Sequence, residues 1–219
     1  MAKYLNTDLI FKDRADAGIQ LAEKLILLKL QNPIVIALPR GGVAVAKPIA
    51  DKLSAKLDIM VSKKIGAPNN PELALGAVTS RGDYVVAPYS EYELGQNKWD
   101  YLQAQIVDLV KECQEREKKY LSHRGGFQTR LYEGQNIVLV DDGTATGMTA
   151  LAAIKSIKKQ NPKSLILAIP VISTQAYDEI KPQVDRIETL KIPRDFGAVG
   201  LHYIDFEAVT DDEIKEMIG

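Results

Sequence analysis

The stretch from Asn136 to Ala150 constrains this chain more than any other, reading N-I-V-L-V-D-D-G-T-A-T-G-M-T-A. Ile137, Val138, Leu139 and Val140 form a short unbroken apolar run, as expected of a strand buried on both faces of a parallel sheet. Asp141 and Asp142 follow at its carboxyl end, where open α/β sheets place their ligands. Beyond them, Ala150, Leu151, Ile154 and Ile157 take a helical spacing. Gly143-Thr144-Ala145-Thr146-Gly147-Met148-Thr149 is therefore a strand-to-helix turn. Its small residues let N–H groups and hydroxyls surround an anion at a helix N-terminus, where the dipole also favours negative charge. Two carboxylates would repel a bare phosphate. They suit a ligand that carries hydroxyls or Mg²⁺ close to its phosphate, as a ribose phosphate does.

Two familiar phosphate loops are excluded. Gly143 and Gly147 enclose three residues and Met148 follows, so the spacing and the lysine of a P-loop are missing, and no G-x-G-x-x-G occurs. An ordinary strand-turn-helix connection with an acidic start is the plain alternative. A receiver-type acid pair fails on position, because such pairs stand at the first strand and this one follows many earlier elements.

A second strand, glycine turn and helix lies upstream. Ile34-Val35-Ile36-Ala37-Leu38 ends in Pro39-Arg40-Gly41-Gly42, and Val43, Ala46, Ile49, Ala50 and Leu53 form the next apolar stripe. Paired glycines allow close backbone approach to a ligand, and Arg40 offers a fork of donors to an oxygen-rich anion. Tight strand-helix packing would also explain Gly41 and Gly42. A third strand is expected at Asp58-Ile59-Met60-Val61, with Ser62-Lys63-Lys64-Ile65-Gly66 at its end. Lys63 and Lys64 there are read either as solvated charge or as contacts to a diphosphate.

The rest of the chain supplies packing. A helix is expected across residues 11 to 31, with Asp13 as its cap and Ala15, Gly18, Ile19, Ala22, Leu25, Ile26 and Leu30 on its apolar face. Phe11-Lys12-Asp13-Arg14 reads as a charged helix start in preference to a ligand cover. Residues 66 to 71 form a loop, and Leu73–Val78 with Tyr84–Val86 forms an antiparallel excursion about Arg81-Gly82-Asp83. A long helix runs from about Asn97 to Tyr120, with Cys113 on its apolar stripe. Its basic end, from Arg116 through His123, Arg124, Gly125 and Gly126 to Arg130, is either solvated or a loop closing over diphosphate. Ser164–Ile169, ending at Pro170, and Arg186–Leu190 read as further strands, residues 174 to 181 as a short helix, and Asp211–Ile218 as a closing helix. In the glycine-rich aromatic tail from Phe196 to Phe206, His202 beside Tyr203 reads as a packed surface residue.

Composition narrows the partners. Lys plus Arg total 28 against 29 Asp plus Glu, so no global basicity points to nucleic acid, and any anion site must be local. One cysteine and two histidines exclude an internal disulfide and argue against a cysteine or histidine metal centre. No apolar run approaches the ~18 residues of a membrane span, and the opening M-A-K-Y-L-N-T-D has no signal-peptide core. A cytoplasmic protein of one domain, residues 1–219, without membrane or nucleic-acid partners, is expected. The oligomeric state is left open, and a homo-oligomer is compatible. The repeated strand-helix order predicts a doubly wound, mainly parallel α/β fold, with a small antiparallel excursion and a hood-like C-terminal tail.

Four apolar residues, two acids and then G-x-A-T-G-x-T closely resemble the signature of the type I phosphoribosyltransferase superfamily. The resemblance extends over most of the chain, to one bacterial branch of that superfamily: F-K-D-R-A-D-A-G, A-L-P-R-G-G-V-A-V-A, K-K-I-G-A-P-N-N-P-E-L-A-L-G-A-V, the R-G-G at Arg124 to Gly126, and F-G-A-V-G-L-H-Y-I-D-F all take part. It implies a Mg²⁺-dependent transferase that moves phosphoribosyl from phosphoribosyl pyrophosphate to a nitrogenous base-like acceptor. Asp141 and Asp142 would meet the ribose hydroxyls, directly or through Mg²⁺, with Asp142 stabilising charge near the ribose. Gly143, Thr144, Ala145, Thr146, Gly147, Met148 and Thr149 would surround the 5′-phosphate, with Met148 departing from the small residue usual there. Arg40, Gly41 and Gly42 would hold the pyrophosphate, with Lys63 or Lys64 at its side. A non-catalytic module sensing phosphoribosyl pyrophosphate or a nucleotide is the alternative. The resemblance names no acceptor and no general base.

Overall fold

The computed structural model describes residues 4–95, 98–122 and 131–219. In chain order the elements are α1 (Arg14–Ile26), β1 (Ile34–Ala37), α2 (Gly41–Lys52), β2 (Lys56–Ile59), β3 (Ser62–Ala67), β4 (Asn70–Thr79), β5 (Tyr84–Val86), α3 (Ser90–Leu94), α4 (Lys98–Tyr120), β6 (Asn136–Val140), α5 (Met148–Lys158), β7 (Ser164–Val171), α6 (Thr174–Ile180), β8 (Arg186–Lys191) and α7 (Asp211–Ile218). Short 3₁₀ turns follow α6 at Lys181–Gln183 and precede α7 at Val199–His202. The fold is α/β, a parallel sheet flanked by helices together with a small antiparallel sheet. Two compact units carry these elements, residues 4–59, 131–147 and 160–219 in the first, and the described residues of 60–122 with 148–159 in the second. Asn97 and the expected basic loop at His123, Arg124, Gly125, Gly126 and Arg130 lie outside the described residues.

The first unit holds a five-stranded parallel sheet in the order β2-β1-β6-β7-β8, the doubly wound arrangement. Its three central strands, β1, β6 and β7, are apolar runs of the sequence, and Val35, Ile36, Ala37 and Ile137 through Val140 are fully buried. Burial on both faces is what allows such runs to lack alternation. α1 and α2 pack on each other and on the sheet, and α7 packs on α2. Asp13 caps α1 by accepting from the Asp16 N–H at 2.8 Å. The helix is shorter than the periodicity predicts. It buries Ala17, Gly18, Leu21, Ala22 and Leu25, while Ile19 and Ile26 face outward. Pro170 does not end β7 but sits inside it, just before Val171, and its carbonyl accepts from the Thr189 hydroxyl at 3.3 Å. His202 is buried, not superficial, with its Nε2 2.9 Å from the Phe196 carbonyl. α7 is opened by a capping box in which Thr210 and Glu213 bond each other's backbone N–H.

The second unit is built on the antiparallel sheet β3-β4-β5. The hairpin β4-β5 is the expected excursion. β3, however, occupies the segment read as a terminal turn and loop, because β2 already ends at Ile59 and a new strand begins at Ser62. α5 packs on this sheet, with Met148 and Ala152 joining Ala74, Ala77 and Ala87 in a small-residue core. α4 lies on β3 and β4, burying Leu102, Cys113, Glu117 and Tyr120. Burial pushes the Cys113 thiol up to about 11, which fits the core position read from its spacing. Trp99, near the start of the same helix, is exposed.

Glu117 is a buried acid in this unit. Its carboxylate accepts from the Val61 N–H at 3.0 Å and from the Ser80 hydroxyl. Burial raises its pKa above the ordinary Glu range, outweighing the bonds from Ser80 and Val61 and the charge of Arg81. A raised folded pKa means that the folded state binds this proton more readily than the unfolded one. The carboxylate therefore costs stability above its folded pKa, and that cost is relieved as pH falls toward the unfolded value. Glu117→Gln is expected to gain on wild type as pH rises through that window, read from urea midpoints at a series of pH values. A wild-type minus variant difference that does not change with pH would refute the assignment.

Among the described residues no helix is long and apolar enough to cross a membrane.

Candidate functional site

The site is built in the first unit, where the sheet order reverses. β1 and β6 are parallel neighbours in level register, with Ala37 opposite Val140, and the ladder continues as the Leu38 N–H donates to the Val140 carbonyl at 2.9 Å. The two turns that follow, Pro39-Arg40-Gly41-Gly42 and Asp141-Asp142-Gly143, therefore leave the sheet side by side at its carboxyl edge. This is the topological switch point at which open α/β sheets bind ligands.

The turns touch. A Cβ on Gly41 would fall 1.8 Å from Asp142 Oδ2, and one on Gly42 would fall 2.9 Å from the Val140 carbonyl oxygen and 3.1 Å from Asp141 Cα. The approach is the reason for glycine at both positions, and it is the packing explanation that the structure bears out. Gly41 and Gly42 open α2, and Arg40 is the exposed residue at its N-terminus, preceded by a cis peptide bond from Pro39. The acid turn is internally bonded: the Asp142 N–H donates to Asp141 Oδ1 at 2.9 Å.

Asp142 is held from several sides. Arg14 Nε donates to its Oδ2 at 2.8 Å, and Tyr203 Oη donates to its backbone carbonyl at 2.5 Å. Arg14 also donates to the Glu207 carbonyl at 2.8 Å and lies 3.7 Å from the centroid of the Phe206 ring. Burial raises the Asp142 pKa, against the lowering pull of the guanidinium. Burial likewise pushes the Tyr203 phenol upward, with the Asp142 charge adding to it, so the hydroxyl stays a donor. The tail from Phe196 to Phe206 thus lies on the acid turn, and a Cβ on Gly143 would fall 2.5 Å from Val199 Cγ1.

Farther along, the turn is held by its own bonds. Thr144 donates its N–H to the Val171 carbonyl at 3.1 Å, and its hydroxyl accepts from the Gly147 N–H at 2.9 Å. Ser173 closes the outside, donating its N–H to the Thr144 carbonyl at 3.0 Å and its hydroxyl to the Ala145 carbonyl at 2.5 Å. Gly147 has φ +73°, where L side chains are strained. Thr144 and Gly147 thus spend N–H groups on shape, and exposed Ala145 with half-buried Thr146 forms the open part of the turn.

The structure brings Arg40, Gly41 and Gly42 together with Asp141 through Gly147. Other expected residues belong to the second unit. Lys63 and Lys64 lie within β3, opposite Val78 and Ala77, and not in a turn closing a strand of the parallel sheet. Lys63 pairs with Glu112 of α4. Met148 and Thr149 open α5, with the Met148 side chain in the unit's core and the Thr149 carbonyl accepting from Ser62 at 3.3 Å.

Tyr203 and Phe206 carry no signal in the sequence for their contacts with Asp142 and Arg14, and Arg14 reads there as part of a charged helix start in preference to a ligand cover. For Arg14 a signal existed: it is the first residue of α1, and a cation there opposes the helix dipole, so something else must hold it.

A parallel sheet whose switch point sets an acid turn against a glycine turn defines an α/β protein of the doubly wound class. The phosphoribosyl transferase domain model matches residues 9–203, and the chain belongs to that family. It is 35% identical over 207 residues to the Mycobacterium tuberculosis protein named "Putative phosphoribosyl transferase Rv0571c", covering 94% of this chain and 45% of that protein. The chain thus spans less than half the length of the curated relatives it matches. The crystal structure of TT1426 from Thermus thermophilus superposes with a TM-score of 0.79 at 38% identity, covering 96% of this chain and 98% of that one. A hypothetical protein from Neisseria gonorrhoeae, crystallised with bound ppGpp, shares the fold at a TM-score of 0.50 and 13% identity, with 96% and 94% covered.

Proposed function

We propose that this chain transfers the phosphoribosyl group of phosphoribosyl pyrophosphate to a nitrogen of a base-like acceptor, releasing pyrophosphate. The observation that carries the reading is the contact of Gly41 with the Asp142 carboxylate, which joins an arginine-glycine turn to an acid pair at one sheet edge. Neither turn alone would serve a donor with phosphate at one end and diphosphate at the other. The family membership supports the same class of reaction.

In the reaction the bond from the ribose anomeric carbon to diphosphate breaks and a bond to the acceptor nitrogen forms, with a proton lost from that nitrogen. Positive charge develops on the ribose as diphosphate leaves. Asp141 and Asp142 offer acceptors to the ribose hydroxyls and negative charge beside the ring. Ala145 and Thr146, with Gly143, Thr144 and Gly147 as the rest of the turn and Met148 and Thr149 at the start of α5, cradle the 5′-phosphate, and Arg40 with the Gly41 and Gly42 backbone takes the diphosphate. Lys63 and Lys64 remain candidates for the diphosphate side.

Among the described residues no group of three or more His, Cys, Asp or Glu side chains could cage a metal ion. Two adjacent carboxylates, one already ion-paired to Arg14, fit a Mg²⁺ that arrives on the phosphates and keeps most of its waters. Asp141 and Asp142 would hold it, and it would neutralise diphosphate charge.

Incubation with phosphoribosyl pyrophosphate, Mg²⁺ and a panel of purines, pyrimidines and related heterocycles, followed by pyrophosphate release, tests the proposal. Release dependent on one acceptor is expected. Donor binding without release for any acceptor would replace the enzyme with a sensing module, and no donor binding would end both readings.

A further inference from the structure

The Arg14 side chain is only 11% exposed, and its contacts form a closed circuit. Its guanidinium bonds the Asp142 carboxylate and the Glu207 carbonyl, both at 2.8 Å, and stacks on Phe206. Phe206 stacks on Tyr203 with ring centroids 5.1 Å apart, and the Tyr203 hydroxyl returns to the Asp142 backbone. Tyr203 is itself backed by Phe11, three residues before Arg14, at 5.2 Å. A Cβ on Gly41 would also lie 2.8 Å from Arg14 Nε, so the arginine stands where the two ligand-binding turns meet. A planar fork in such a place holds a carboxylate in one orientation, which a flexible ammonium does less well.

We propose that Arg14 is a positioning residue: it fixes the Asp142 carboxylate for the ribose hydroxyls and ties that orientation to the C-terminal tail. The inference rests on the donor-site reading of Asp142. It adds a residue that touches no ligand and acts through its partner. It also gives the tail a task, since Glu207 and Phe206 hold the arginine that holds the acid.

The test is calorimetric titration of wild type and Arg14→Gln with phosphoribosyl pyrophosphate plus Mg²⁺, and with inorganic phosphate, which has no ribose hydroxyls. Loss of a supporting partner of this kind weakens a site on the order of tenfold. Arg14→Gln is expected to lose about that factor for phosphoribosyl pyrophosphate and nothing for phosphate. Arg14→Lys, which keeps the charge without the fork, is expected to fall between and serves if the glutamine variant does not fold. Unchanged donor affinity would overturn the inference, as would an equal loss for both ligands, which marks general loosening of the site. If wild type itself binds no phosphoribosyl pyrophosphate, the donor-site reading fails, an outcome distinct from either.

Discussion

Asp141→Asn combined with Asp142→Asn is expected to lower the affinity for phosphoribosyl pyrophosphate by at least about a hundredfold in calorimetry, to the edge of detection. Both changes keep side-chain shape and remove charge, so the turn keeps its course while the ribose loses its anionic acceptors. Charged hydrogen bonds are worth about 1.5–3 kcal/mol each, and two such losses convert to at least that factor. The Arg14 guanidinium loses its ionic partner at the same time, since it bonds Asp142 Oδ2. A fall in folding stability of about 1.5–3 kcal/mol should accompany the loss. Thermal unfolding in parallel separates the two effects: a folded variant with wild-type donor affinity would remove the acids from the ribose site.

Gly41→Ala carries the second large effect. The added methyl would need the space of Asp142 Oδ2, 1.8 Å away, and of Arg14 Nε, 2.8 Å away. Neither group is free to swing aside, because each is pinned by the other and Arg14 also by Glu207. Overpacking of this kind costs about 1–3 kcal/mol. For a chain of this size each kilocalorie lowers Tm by about 2–4 °C. The same displacement separates the two turns, so donor affinity should fall by at least about tenfold. A Gly41→Ala protein that melts and binds like wild type would show that the contact between the turns is dispensable.

Local chemistry made the main lines of the molecule legible before the structure. Apolar runs bounded by turn residues marked β1, β6 and β7, because a strand covered on both faces needs no alternation. The turn at Gly143 to Gly147 was equally readable, since small residues between a strand and a helix leave few alternatives. β3 was hidden because Lys63, Lys64 and Gly66 carry little strand preference of their own. Pairing with β4, and the pairing of Lys63 with Glu112, supplies what the sequence of that strand does not. Pro170 inside β7 misled for a related reason: a strand can spare one N–H when the ladder on either side is intact.

The link between Arg14 and Asp142 spans 128 positions, and no local pattern encodes such a distance. The helix start could be read, and so could the acids. Their meeting depends on β1 and β6 lying side by side with α1 packed across the sheet, which is a property of the whole unit.

The bonds inside the acid turn have a further meaning. Thr144 and Gly147 satisfy each other, and Ser173 and Val171 fasten the outside. If the turn holds a phosphate as proposed, these bonds already fix its backbone, and binding would not be offset by loop entropy of about 1–2 kcal/mol for each residue ordered. The protein spent that entropy when it folded. On the proposed donor reading, discrimination at the phosphate end would lie in geometry that the fold sets in advance.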